Sequence, residues 1–299
     1  MAVSILWGLP YLFIKVAVQE VSPPFVAWAR VLIAALVLLP AAWRLGAFAG
    51  LRGRLGAVVA YAALEVAIPF CLIPLGETFI SSSLTAILIS AMPLAVALLA
   101  LRFARQERLT ATRAAGLCIG LAGVVALMGI DVAGRPAELL GAACILAATL
   151  CYAASPIIVS RVLADLHPLG PVTAALAVSA VALTPVAALT RPATVPSAAG
   201  LGSLAVLGVL CTAVALALYF FLIAEAGPGR ASIITYVNPA VAVLLGVLVL
   251  GESITALTVA ELLLIAAGSW LSTDGRLPPG LVSRARAGRA GRGAARRRA

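Results

Sequence analysis

Charge is scarce in this 299-residue chain: Asp, Glu, Lys and Arg make up 11% of it, and 63% is hydrophobic. A soluble domain is about a quarter charged, so this chain cannot cover itself with a solvated surface. Histidine occurs once, His167, in a loop without clustered Cys, Asp or Glu, which excludes a zinc site built on it. The five cysteines, Cys71, Cys118, Cys144, Cys151 and Cys211, form no CxxC pair and all fall in apolar stretches. They fit small packing residues better than metal ligands or a disulfide framework. No HExxH, GxSxG or paired Ser/His is present, which argues against an intramembrane enzyme. Gly200-Leu-Gly202-Ser-Leu-Ala205 fits GxGxxA, but no strand precedes it and no acidic residue follows at the required distance. No cofactor or metal is expected.

What is there is apolar sequence in blocks of span length. Ten blocks run over 2–18, 25–43, 56–75, 81–101, 112–129, 139–160, 170–188, 201–223, 231–250 and 255–272. About 20 residues of helix cross a hydrocarbon core. The fold class is therefore an all-α integral membrane protein of ten transmembrane helices, with no room for a soluble domain. Apolar sequence begins at Ala2 without a basic region or a cleavage signature, so no secretory signal peptide is expected. The shortness of the first span before Lys15 points to a true start a few residues upstream of Met1.

The chain also repeats itself. AMPLAVALLALRFARQERLTATRAAGLCIGLAGVVAL (Ala91 to Leu127) answers VNPAVAVLLGVLVLGESITALTVAELLLIAAGSWLS (Val237 to Ser272). Pro93 matches Pro239, Glu107 matches Glu252, and Gly123 matches Gly268, at an offset of 146 that becomes 145 after the central loop. Connections on one side carry Arg44, Arg52, Arg54, Arg102, Arg105, Arg108, Arg113, Arg161 and Arg230; those on the other carry Arg135 and Arg191. The positive-inside rule then puts both termini in the cytoplasm of a multi-pass plasma-membrane protein. Five spans per unit is odd, so the two units enter the membrane from opposite sides as inverted repeats, the build of a transporter with a site near the midplane. No ATP motif is present, so a gradient would drive any flux.

Each unit resembles an EamA domain of the drug/metabolite transporter superfamily. The first carries WGLPYLFIKVA (Trp7 to Ala17), Arg30, SSSLTAILISAMPLAVALLAL and QERLT before a Gly-rich helix. The second carries YAASPIIVSRVL (Tyr152 to Leu163) and GRASIITYVNPAVAVLLGVLVLGESIT. Two departures stand out: Gln106-Glu107 replaces the usual Gly-Glu, and the second unit lacks the opening Trp. The units span 1–129 and 138–272, followed by an Arg-rich tail over 275–299 that should be disordered and lie on anionic lipid. The tail has no aromatic residues for stacking, so no nucleic-acid partner is expected. The resemblance implies an exporter or permease of small metabolites, amino acids or drugs. An intramembrane enzyme or a non-transporting scaffold or sensor is the alternative, though neither accounts for the repeat.

Candidate site residues follow from what is expensive in lipid. Glu65 lies near the centre of the third span, where a carboxylate costs about 2.5–3.5 kcal/mol on insertion scales. It is read either as a proton carrier or cation-binding group, or as a structural hydrogen-bonding residue, through Tyr61 one turn earlier. Lys15 either snorkels to the outer interface or serves as an anion partner for substrate or Glu65. Arg30 is read near the outer surface. Glu77 lies near the outer end of its span, and Ser81–Ser83 after it suit helix capping or, with Thr85 and Ser90, a polar path. Pro93 and Pro239 are matched kinks that mark hinges at a cavity. Tyr152 and Tyr236, with Asn238, could line an apolar substrate pocket; Tyr11 and Tyr219 also fall within spans. Glu107 and Glu252 read as turn residues, and Glu261 as a residue of a peripheral helix. The pair Gly116 and Gly120 forms a GxxxG that either packs within the chain, the favoured reading, or joins a homodimer.

Overall fold

The structure is a computed structural model that describes residues 2–103, 110–130, 135–219 and 234–272. It is all-helical, with no strand among the described residues. Six helical segments are long and apolar enough to cross a membrane: Pro23–Arg44, Arg52–Glu77, Ser82–Leu99, Pro136–Leu163, Leu169–Leu189 and Ala198–Tyr219. Four shorter apolar ones cover Ala2–Ala17, Ala111–Leu127, Val237–Leu250 and Ala256–Ser272. The outer surface carries Leu36, Trp43, Val181, Leu189, Leu248 and Leu263, whereas Ser155, Ser179, Thr173, Thr212, Arg30 and Glu77 are buried. An apolar exterior with these polar side chains kept inside suits lipid as the solvent, and the chain is a membrane protein.

Several segments are interrupted for visible reasons. Pro10 separates α1 (Ala2–Gly8) from α2 (Pro10–Ala17), because its ring nitrogen donates no hydrogen bond. α3 is Pro23–Arg44. α4 (Leu55–Tyr61) runs through a π-helical turn, Ala62–Ala67, into α5 (Ile68–Glu77). Pro69 lacks the N–H that would bond the Glu65 carbonyl, which favours the wider turn there. α6 (Ser82–Ile89) breaks at Ser90–Ala91 before α7 (Met92–Phe103), just ahead of Pro93. Pro239, by contrast, lies inside one continuous helix, so the two matched prolines act differently here.

α8 is Ala111–Ile130, α9 Pro136–Ile158, α10 Leu169–Leu189 and α11 Ala198–Gly208. A further π turn at Val209–Val214 continues α11; α12 is Ile234–Leu250 and α13 Ala256–Ser272. Glu65 and Cys211, which the 146-residue offset pairs, both lie on π turns. α8 packs along α13, α3 along α10, α6 against α12, α5 along α9, and α2 against α11. The first of these is nearly backbone to backbone: a Cβ on Gly268 would collide with Gly120, and one on Gly116 with Leu271 and Ser272. The GxxxG of Gly116 and Gly120 is thus used within the chain.

The connections meet at two ends of the bundle. At one, Glu20 accepts bonds from the Ser197 N–H and hydroxyl, both at 2.6 Å, and Ser22 donates to the Thr190 carbonyl at 2.7 Å. At the same end Gly251, at φ 67°, turns the chain so that Glu252 reaches the start of α6. Its carboxylate accepts from the Ser82 and Ser83 N–H groups at 2.7 and 3.0 Å and from the Ser83 hydroxyl at 2.5 Å. This is a structural capping role, and it fits the turn read from the sequence. At the other end Arg54 bonds the Asp165 carboxylate and the Val162 carbonyl, the latter at 2.8 Å. Glu107 lies outside the described residues.

Candidate functional site

The interior holds a polar layer drawn from five spans. Glu65, on the first π turn, is half-buried. Its carboxylate accepts a hydrogen bond from the Ser155 hydroxyl of α9. Ser155 itself is 1% exposed. Tyr152, one turn before Ser155, packs against both hydrophobic cores and lies within electrostatic range of Glu65, Arg30 and Tyr11. Tyr61 and Tyr219 are also electrostatic neighbours of Glu65. Tyr219 stacks on Trp7 with ring centroids 4.8 Å apart. The structural partner of Glu65 is therefore Ser155, with Tyr61 close by.

Arg30, read near the outer surface of the membrane, is 7% exposed and so packed inside the bundle. Its Nε donates to Thr212 Oγ1 at 2.8 Å, and its guanidinium lies 4.0 Å from the centroid of the Phe70 ring. Thr212 belongs to the π turn at Val209–Val214 and also donates to the Leu207 carbonyl at 2.8 Å, five residues back, which fits the widened turn. A planar, weakly hydrated cation suits such a buried site with an aromatic face and one acceptor. Ser179 of α10 donates to the Ala62 carbonyl on the first π turn at 3.3 Å. The π turns at Ala62–Ala67 and Val209–Val214 are thus each held by a polar side chain from a long neighbouring helix.

Lys15 lies at a second level. Its Nζ donates to the main-chain carbonyls of Glu77 and Ile80, at 2.6 and 2.7 Å, where α5 ends. A cation there satisfies carbonyls that a helix end leaves open. Glu77 is fully buried beside it. The Ser81 hydroxyl accepts from the Leu84 N–H at 3.1 Å, so it caps α6 as read from the sequence. The hydroxyls of Thr85 and Ser90 turn back to carbonyls of their own helix.

The structure thus brings Glu65 and Tyr152 together and places Lys15 at the end of α5. Asn238 is half-buried in α12, where Gly8 lets α1 approach its carbonyl. The side chain of Tyr236 lies outside the described residues. Glu261, expected on a peripheral helix, is 1% exposed. No group of three or more His, Cys, Asp or Glu that could hold a metal occurs among the described residues.

The EamA-like transporter family matches residues 1–129 and 139–273. An uncharacterized transporter of Archaeoglobus fulgidus is 27% identical over 279 residues, 89% of this chain and 94% of that protein. The uncharacterized inner membrane transporter YedA of Escherichia coli K12 is 27% identical over 264 residues, 85% of this chain and 82% of YedA. Protein PagO of Salmonella typhimurium is 33% identical over 131 residues, 44% of this chain and 42% of PagO. A solved crystal structure shares the fold, with a TM-score of 0.65 at 17% identity over 91% of this chain and 94% of that one. With both halves matched, this chain belongs to the EamA-like transporter family.

Proposed function

We propose that the chain is a secondary transporter that exports a small metabolite, amino acid or drug by alternating access. In this reading ten crossings form two inverted five-helix units, 1–129 and 138–272, with both termini in the cytoplasm. The helix pairing carries it. Exchanging the units leaves α3 on α10, α6 on α12 and α8 on α13, and turns the contact of α5 with α9 into that of α11 with α2. A site between units related in this way can open to either side by rocking one against the other.

The cargo would meet the layer of Glu65, Tyr152, Arg30 and Tyr11, where aromatic faces surround a few polar groups. Glu65 would bind a cation, a cargo ammonium or a proton there. In this reading Lys15 and Asn238 would also meet the cargo, and the break before Pro93 offers a hinge, with Pro239 as its sequence counterpart. The reading includes no catalytic step.

Metabolite profiles of cells and medium with and without the protein should show one compound accumulating inside when the protein is missing. Flux of that compound into liposomes holding the purified protein supports the reading; conversion without flux overturns it.

A further inference from the structure

Glu77 ends α5 with 0% exposure, and neither carboxylate oxygen has a hydrogen-bond partner among the described residues. A bare ionised carboxylate in such a place is strongly disfavoured, so it gains a proton or a cation. Two cations are near, and both are occupied. From α2, Lys15 donates to the carbonyls of Glu77 and Ile80. From α3, Arg30 donates to Thr212 and lies on Phe70. Tyr11 of α2 and Glu252 are the other electrostatic neighbours. Glu252 is itself held by the start of α6, where Ser82 and Ser83 lie. The face of α9 opposite Gly76 offers Gly141 and Ile145, which carry no charge. Glu65 lies beyond the far end of α5, on the π turn.

We propose that Glu77 is a proton-binding site of this chain, and that it exchanges its proton for contact with Lys15. In the described arrangement Glu77 is the neutral acid and Lys15 closes the end of α5. When the acid O–H breaks, the proton passes to water on the side to which the site opens. The carboxylate then takes the Lys15 ammonium, which leaves the two carbonyls. Lys15 already touches the main chain of Glu77, so a change of rotamer suffices. The exchange releases the link from α2 to the 78–81 connection, which gives a proton a handle on helix movement. Its use in coupling rests on the transport reading above. Glu65 differs, because the Ser155 hydroxyl already serves its carboxylate.

Infrared titration of the purified protein tests this without any cargo. A protonated acid gives a C=O stretch distinct from carboxylate bands. The expected result is such a band at neutral pH, lost in Glu77→Gln and retained in Glu65→Gln and Glu261→Gln. Lys15→Met should move its disappearance to higher pH, because the ionised form loses its counter-charge. No band at neutral pH, or a band unchanged in Glu77→Gln, overturns the proposal. Should Glu77→Gln fail to fold, a band indifferent to Lys15→Met, or lost in Glu65→Gln, overturns it equally. A silent flux assay would remove the transport reading and leave this result standing; a failed titration would leave transport untouched.

Discussion

Single residues here are held by few partners, so their roles separate cleanly. Arg30 has one side-chain acceptor and one ring. Thr212→Val removes the acceptor and leaves Nε buried and unbonded, at a cost of about 1–3 kcal/mol. Thermal unfolding in detergent should show the loss for Thr212→Val and its absence for Thr212→Ser. Glu65→Gln keeps the shape of the side chain and can still accept from Ser155, so expression should be unchanged. Flux driven by a pH gradient should vanish in it, and normal proton-driven flux would remove Glu65 from the mechanism. Both arguments depend on contacts that cross the sequence. The bond from Ser155 to Glu65 joins positions 90 apart, and that from Arg30 to Thr212 joins positions 182 apart. Residue type marked Glu65 as costly, yet nothing in the spacing named Ser155 or Thr212.

At the scale of helices, the closest approach is that of α8 and α13. Gly268→Leu would drive a side chain into the Gly120 backbone and force the pair apart. Overpacking of this kind costs about 1–3 kcal/mol, so the unfolding temperature should fall. Gly202→Ala, where a Cβ would meet nothing within 4 Å, should leave it unchanged. The apolar helices were legible in the sequence because block length alone reports a span, whereas the match of Gly123 with Gly268 gave the repeat but not the α8–α13 contact, in which Gly268 meets Gly120. The π turns were not legible. A widened turn has the composition of an ordinary helix, and only Pro69, which frees the Glu65 carbonyl, left a trace of one. The two prolines show the limit of a repeat as a guide: Pro93 follows a break eased by the Ser90 hydroxyl, which donates to the Ile87 carbonyl at 2.6 Å, whereas α12 runs on through Pro239.

Across the whole molecule, the two ends are fastened by carboxylates whose titration can be followed. The side-chain and backbone bonds from Ser197 hold Glu20 below the ordinary carboxylate range. Partial burial pushes Glu252 up, but its bonds to Ser83 and Ser82 outweigh this and leave it lowered. The Arg54 guanidinium holds Asp165 below its usual value at the opposite end. Each contributes stability that is complete above the ordinary carboxylate pKa and lost as pH falls through the lowered one. The unfolding temperature should therefore fall on acidification below the normal carboxylate range, and Glu20→Gln should flatten part of that slope. Sidedness has its own test. A cysteine at Arg191 should react with an impermeant maleimide from outside intact cells, and one at Arg52 should not; the reverse pattern would invert the proposed orientation. The caps on Ser197 and on Ser82 and Ser83 have one more consequence. Glu20 of the first matched half stops the start of α11 in the second, and Glu252 of the second stops the start of α6 in the first. Each start also has a serine cap from its own half, Ser81 on the Leu84 N–H and Ser197 on the Gly200 N–H, so what the carboxylates add is a bond across the halves. Fragments ending at 129 and beginning at 138 should be degraded when made singly and persist when made together.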